Sequence, residues 1–592
     1  MTHGFLTRYN ILGVAFSLLG LLIVVQMARI QNSSSGRALE EQARQEYEYS
    51  RVTVQPERGN IYDRWGNLLA GNKEVYEVGI NLYQVQTNGS AQTIASALSS
   101  VLGLDYNEVL TQATTPYQRE YDYVVLTDFV DPEAIGQLQK LKDEYQDNLE
   151  NLKLGKNEVA PSLVGLSWNP HLMRSYPEGS VGANIVGFYK TRDRQDGAGH
   201  LGVEEKYNDL LAGTPLELNV PVDPNKIEEV PKIPPGASLI LTIDRDIQSM
   251  AERVIDNAVT ANGAESGTMV ILDPKTGEIL AMATTPRMDP NRYWDYQEPY
   301  FDRAIDLTYE PGSVFKVLTM AAALDAGAVT PDTPFLDTGS INVGGLSIYN
   351  WDRGAWGPQD MVGCMQHSLN VCLAWVATQL GPSDFYAYLQ KFGIGHRTNV
   401  DLAGEITWPL SIPGDETWSE ANLGTNSFGQ GVAATPLQMA AAISAVANDG
   451  KIMSPHVLKA IIEDGRQRDT TPMVIGTPIT AETAHTLTDM LAVSLEEEAS
   501  TALVPGYRVA GKTGTAEIPG PDGYTSSLTN ASFVGWGPAD DPQFVVYIWL
   551  EEPTSAPWGS VVAAPVFSET VTELVNLMKI PPDDIRTQLL TH

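Results

Sequence analysis

Cysteine is almost absent from this 592-residue chain: Cys364 and Cys372 are the only two. So small a supply excludes a disulfide-stapled framework, and with neither C-x-x-C nor H-E-x-x-H present a zinc centre has no support. Spacing alone does not separate a single bridge, formed outside the cytoplasm, from two buried thiols. Basic residues are scarce as well: 38 Lys and Arg stand against 73 Asp and Glu, a formal charge of −35. Such a surface repels phosphate backbones and argues against nucleic acid as a partner, while solubility accounts for the acidity itself. No G-x-S-x-G nucleophile elbow occurs, and no internal repeat is evident. What remains, with 43% apolar and 19% charged residues, describes a folded chain long enough for two or three domains.

The stretch YNILGVAFSLLGLLIVVQMA, Tyr9 to Ala28, contains no charged residue. As a helix it would be about 30 Å long, enough to cross a bilayer core. No A-x-A-like cleavage site follows it, so an uncleaved anchor is expected over a signal peptide. Arg8 precedes the span while Arg29, Arg37 and Arg44 follow it, so charge does not set its orientation. A polar, then amphipathic stalk comes next. RVTVQPERGNIYDRWGNLLA (51–70) reads as strand followed by a turn at Arg64-Trp65-Gly66-Asn67, residues 90–150 hold helical patterns, and strand and turn material returns around RSYPEGSVGANIVGFY. The proline-rich VDPNKIEEVPKIPPGAS (222–238) is the best candidate boundary. Beyond it come a strand, an amphipathic helix, the hairpin TMVILDPKTGEILAMAT, a helical middle, three further strands and a closing helix. Strands at both ends of a helical middle predict an α+β domain in which those strands share one sheet.

Residues 506–517, GYRVAGKTGTAE, satisfy both the phosphate-cradling G-x-x-x-x-G-K-[ST] pattern and K-T-G. The first requires a helix starting near Lys512. Pro519, Gly520, Pro521 and Gly523 follow instead, and Tyr507-Arg508-Val509 look like strand, so nucleotide binding is rejected. A second KTG at Lys275 sits at the tip of the hairpin and reads as a turn. The single S-x-x-K is Ser313-Val314-Phe315-Lys316, at the first turn of a predicted helix. Three-residue spacing puts serine and lysine on one face, where a lysine of lowered pKa can take the hydroxyl proton; the competing reading is a capping serine with a solvated lysine. S-x-N occurs at Ser167/Asn169, Ser340/Asn342 and Ser368/Asn370. The second reads as a hairpin, and the third lies at a helix entry where Asn370 would serve as N-cap. A Ser-His-Asp site is disfavoured because His367 and Ser368, adjacent on a helix, do not face each other.

Taken in order, Ser313-x-x-Lys316, Ser368-x-Asn370 and Lys512-Thr513-Gly514-Thr515 resemble the three motifs of penicillin-binding proteins. ERGNIYDRWGNLLA (57–70), RSYPEGSVGANIVGF (174–188) and GHLGVEEKYNDLLAG (199–213) resemble that family's pedestal boxes, and ATTPRMDPNRY (283–293) and SFGQGVAATPLQMA (427–440) fit it as well. Asn184 stands where many relatives have histidine. With no E-D-x-x-F glycosyltransferase motif before the linker, the likeness is to class B, the monofunctional D,D-transpeptidases. It implies a cytoplasmic tail (1–8), a transmembrane anchor (9–30), an elongated α+β pedestal (31–235), a transpeptidase domain with a helix-flanked sheet and an all-helical part (236–580), and a tail (581–592). By resemblance Ser313 is the nucleophile and Lys316 the general base. Ser368 relays a proton, Asn370 orients the donor amide and Lys512 tunes the field. Thr513 and Thr515 hold the substrate carboxylate, Gly514 lets the substrate backbone lie close, and the N–H groups of Ser313 and Thr515 form the oxyanion hole. The implied substrates are stem peptides of lipid II-derived glycan strands, with β-lactams as inhibitors and no cofactor. A SEDS-family glycosyltransferase is the implied partner at the inner membrane. The alternatives are a β-lactamase, a D,D-carboxypeptidase, a β-lactam sensor, or a catalytically idle scaffold.

Overall fold

A computed structural model describes residues 3–39, 49–119, 121–148, 160–193, 196–221, 233–296, 302–518 and 528–590. Its contacts divide the chain into two compact units: residues 1–57 with 212–236, and residues 58–211 with 237–592. In the first unit, helix His3–Gln31 contains one stretch, Tyr9–Gln31, long and apolar enough to cross a membrane, with a mean hydropathy of 2.4 and no part of it buried by protein. The same unit pairs strand Tyr49–Val54 antiparallel with Leu216–Pro221. Most of the proline-rich boundary segment, residues 222–232, and stalk residues 40–48 lie outside the described residues.

The second unit begins with a head built on the 14-residue strand Leu68–Asn81. Leu166–Ser175 pairs along one edge of it and Tyr123–Val130 along part of the other. Helices Ala91–Leu102, Tyr106–Ala113 and Pro132–Asn148 bury Ile94, Leu98, Val109 and Leu138 against Val78 and Ile80. The helical patterns read over 90–150 are therefore present, but strand Tyr123–Val130 interrupts them. The head sheet does not end there. Ile61–Tyr62 joins Leu68–Asn81 antiparallel and Ser238–Leu241 in parallel, which in turn pairs with Leu458–Glu463.

Three of the boxes in the sequence meet in one buried cluster. Both carboxylate oxygens of Glu204 are engaged, Oε2 by Arg58 Nε at 2.8 Å and Oε1 by Arg174 Nε at 2.7 Å. Arg174 also donates to the Gly59 carbonyl and Arg58 to that of Glu204. The Glu204 side chain has no exposure at all, and those of Arg58 and Arg174 have 8% and 3%.

A second, five-stranded sheet is antiparallel: β1 (Ser266–Leu272), β2 (Ile279–Thr285), β3 (Ala510–Glu517), β4 (Thr529–Gly537) and β5 (Phe544–Glu551), in the order β2-β1-β5-β4-β3. The terminal strands do share one sheet, as expected. β1 and β2 form the predicted hairpin, with Lys275 at its tip beside Asp541. FVVYIWL shows no polar alternation because both faces of β5 are covered. Helices Arg245–Asn262 and Ala564–Leu577 pack on one face, the helical middle on the other. Asp244 caps the first of these helices by accepting from Asp246 and Ile247, and Gly263 ends it at φ 58°. A helix, Asp583–Leu590, occupies what the sequence left as a tail.

Asn184, the departure noted in the sequence, is buried with its amide donating to the Met282 carbonyl. Beside it Asp302 is also buried, and burial pushes its carboxyl up to about 7, against the opposing pull of the Asn184 amide and the Ala304 N–H. The folded state thus holds the proton more tightly than the unfolded chain. That contribution to stability is complete below pH 4 and is lost as pH rises to about 7. An Asp302→Asn variant stays neutral, so its melting temperature should fall less between pH 4 and 7 than the parent's. Parallel melting curves would show Asp302 to be inconsequential.

Candidate active site

Ser313 is positioned by backbone contacts that only glycine permits. Gly312 has φ 60°, and a Cβ there would lie 2.7 Å from the Thr515 carbonyl. A Cβ on Gly429 would lie 2.3 Å from the Gly312 oxygen, which explains a glycine in each of the two segments. One 3-10 turn, Gly312–Phe315, then leads into helix α1 (Lys316–Asp325), whose first eight residues are buried. Ser313 stands in the first turn, as the spacing predicted, and is partly exposed.

Lys316 is not the solvated lysine of the competing reading. It is fully buried, and its Nζ donates to the Ser368 carbonyl at 2.6 Å, Asn370 Oδ1 at 2.7 Å and Ser368 Oγ at 3.1 Å. None of these partners is a carboxylate. Burial first, and the like charge of Lys512 second, hold the amine well below the usual lysine range. No hydrogen bond joins Lys316 to Ser313. Among the described residues the amine is instead held against the second motif.

That motif sits between helix Met361–Gln366 and helix α2 (Asn370–Leu380). Ser368 adopts φ 54°, a left-handed conformation that turns both its carbonyl and its hydroxyl to Lys316. Asn370 is not the N-cap. Leu369 holds that position without a side-chain bond, and Asn370 spends its amide on Lys316 and on the Tyr349 carbonyl at 3.2 Å. Cys364 and Cys372 form a disulfide across this turn, answering the question that spacing left open. The other S-x-N triplets lie elsewhere, Ser340/Asn342 in the expected hairpin (Ser340–Val343 with Leu346–Tyr349) and Ser167/Asn169 in the head. His367 stacks on Trp356 at 4.4 Å.

The third motif lies on β3, an edge strand, so no helix follows Lys512 and the nucleotide reading is excluded. Tyr507–Val509 do not form strand, however. Val504 and Tyr507 bridge a tight Pro505-Gly506 turn, and β3 starts at Ala510. Lys512 is 4% exposed, with its amine 3.2 Å from the Thr513 carbonyl. Thr515 Oγ1 accepts from the Gly559 N–H at 3.1 Å. Gly514 is also tightly packed within the protein. A Cβ there would lie 2.2 Å from Ser532 Oγ and 2.9 Å from Val314 Cγ1. Gly559 completes the packing, since its Cβ would lie 2.2 Å from the Gly514 oxygen.

Ser313, Ser368, Asn370, Lys512, Thr513 and Thr515 converge on one cavity of about 690 Å³. Lys316 lies behind its wall, and Gly514 does not line it. No sequence pattern pointed to the rim, where Tyr349 ends the hairpin, Trp351 and Arg353 stand on the loop after it, and Trp558 lies on the approach to Gly559. The rings of Trp351 and Trp558 meet edge to face at 5.4 Å. Glu517 is the one carboxylate among the described lining residues. The arrangement suits acyl transfer: a serine facing a cavity, a buried amine of lowered pKa behind it, and hydroxyl donors opposite.

Comparison with known proteins agrees with this chemistry. The family model described as penicillin binding protein transpeptidase domain matches residues 267–572, and that of the penicillin-binding protein dimerisation domain matches 53–235. Stage V sporulation protein D of Bacillus subtilis is 31% identical over 548 residues, 90% of this chain and 80% of that protein. Peptidoglycan D,D-transpeptidase FtsI of Escherichia coli K12 is 29% identical over 545 residues, 90% and 86% of the two chains. Among solved structures, penicillin binding protein 3 from Mycobacterium tuberculosis complexed with aztreonam superposes with a TM-score of 0.67 at 27% identity, covering 90% of this chain and 98% of that one.

Proposed function

The chain belongs to the penicillin-binding proteins, in the monofunctional class of peptidoglycan D,D-transpeptidases, and from that membership we propose how its own residues divide the work. It is a serine-type acyltransferase that cross-links peptidoglycan and binds β-lactams. Ser313 Oγ attacks the carbonyl carbon of the penultimate D-alanine while its proton passes to the Lys316 amine. The C–N bond to the terminal D-alanine breaks, and the departing amine takes that proton through the Ser368 hydroxyl. An amine from a second stem then attacks the ester, its proton returns by the same route, and Ser313 is released. The N–H groups of Ser313 and Thr515 receive the oxyanion. Thr513 and Thr515 hold the terminal carboxylate, Asn370 orients the donor amide, and Lys512 keeps the field positive. The observation that carries this reading is the buried Lys316 amine, with three acceptors from the second motif and no carboxylate to keep it charged.

Because the substrate lies outside the cytoplasm, residues 1–8 are assigned to the inside, 9–30 to the membrane, and the pedestal (31–235) and transpeptidase domain (236–580) to the outside. A SEDS-family glycosyltransferase would meet the chain through its anchor and pedestal. Co-purification that survives exchange of the anchor would count against that contact.

The test of the chemistry is the mass of the full chain after exposure to benzylpenicillin, followed by peptide mapping. One adduct on Ser313, released over hours, is the expected result. Rapid turnover without accumulation would make the protein a hydrolase, and an adduct elsewhere would sink the assignment.

A further inference from the structure

Two Lys or Arg side chains line the catalytic cavity among the described residues: Lys512, which is buried, and Arg353, which is not. Arg353 lines the cavity rim from an exposed position and makes no ion pair among the described residues. Its guanidinium lies over the Tyr349 ring at 5.4 Å. The adjacent Asp352 is turned away to accept from the Gly354 N–H at 2.9 Å.

The loop that presents Arg353 is built rather than slack. Asn350, 2% exposed, donates to Asp337 at 2.7 Å and to the Gly354 carbonyl at 3.1 Å, and it accepts from the Val371 N–H at the start of α2. Trp356 N–H reaches the same Asp337 carboxylate at 2.8 Å. Trp351 donates to the His367 carbonyl, tying the loop to the turn that carries Ser368. Arg353 itself has φ 56°, a left-handed conformation uncommon for residues other than glycine. The anchoring links this strained, unpaired cation to the same helix that positions Asn370.

Resting on the transpeptidase reading, we propose that Arg353 and the Trp351–Trp558 pair form a subsite for an acidic, aliphatic side chain of the acyl donor. The tryptophans take the methylene chain and Arg353 takes its terminal carboxylate, as a diamino diacid in the stem would provide. Thr513 and Thr515 on β3 already face the donor's C-terminal carboxylate, so a guanidinium on the opposite loop answers a second anion. Arginine suits the task, because its planar fork pairs a carboxylate through two parallel hydrogen bonds. Arg353 acts here on specificity and takes no part in the bond-making steps.

Two cephalosporins test this on the full chain: one with an aminoadipyl-type side chain ending in a carboxylate, the other with that carboxylate converted to a primary amide. Both acylate the same serine, so the ratio of their acylation rates isolates the distal charge. The parent should prefer the carboxylate by about three- to tenfold, less at high salt. In Arg353→Gln the ratio should fall to about one, and Arg353→Lys should restore part of it. A parental ratio of one, or a preference that survives Arg353→Gln, overturns the subsite. Failure of both compounds to acylate Ser313 overturns the underlying reading instead.

Discussion

Lys316→Met will yield a folded protein whose acylation by penicillin is slowed by about 10³–10⁴-fold, although Ser313 is untouched. Methionine fills nearly the same volume and brings no charge into a fully buried position, so the packing around α1 survives. What disappears is the amine to which the proposed mechanism passes the serine proton. Second-order acylation rates and melting curves on the same preparation separate the two effects. A rate within tenfold of the parent, with the fold intact, would remove Lys316 from the mechanism. The pH profile of the parent follows from the same burial. The reactive amine is the neutral one, so acylation should rise with pH and level off well below the usual lysine range. Lys512 contributes to that lowering through like charge, and its removal should move the shoulder upward.

The second large effect is on stability. Glu204→Ala leaves Arg58 and Arg174 facing each other inside the head with no countercharge, and breaking a buried ionic cluster from one side costs about 3–5 kcal/mol. Expression should collapse or the melting temperature fall steeply. Replacing all three residues with apolar ones of similar volume should recover most of the loss, because no charge then remains buried. Three single variants each within about 0.5 kcal/mol of the parent would show that the cluster is not what ties these segments together.

The pairing of Arg58, Arg174 and Glu204 illustrates what the sequence does and does not disclose. Each sits in a box that could be picked out, yet 146 positions separate the first from its carboxylate, and no local pattern predicts that contact. Hairpin β1–β2 and the shared sheet were legible, because turn residues and uninterrupted apolar strands are local signals. The three motifs were legible as chemistry but misleading as conformation. Asn370 has the composition of a cap, and the demand of a buried amine overrode that propensity. Tyr507–Val509 look like strand until the turn at Gly506 claims them. Strand Tyr123–Val130 was hidden among helices because its alternation is short and Tyr123 and Val125 remain exposed. Trp351, Arg353 and Trp558 gave no signal, since loop residues far apart in sequence acquire meaning only when folding sets them round one opening.

Gly312, Gly429, Gly514 and Gly559 lie stacked backbone to backbone beneath the nucleophile, each with less than 3 Å of room for a side chain. Selection by an antibiotic therefore meets a floor with little room to vary: a side chain at Gly312, Gly429 or Gly559 would run into backbone, and one at Gly514 into Ser532 and Val314. Heritable escape has to be written on the rim, where Tyr349, Trp351, Arg353 and Trp558 touch whatever enters but do not hold the serine in place. An inhibitor drawing its affinity from the glycine floor would leave fewer viable replies than one leaning on the tryptophans.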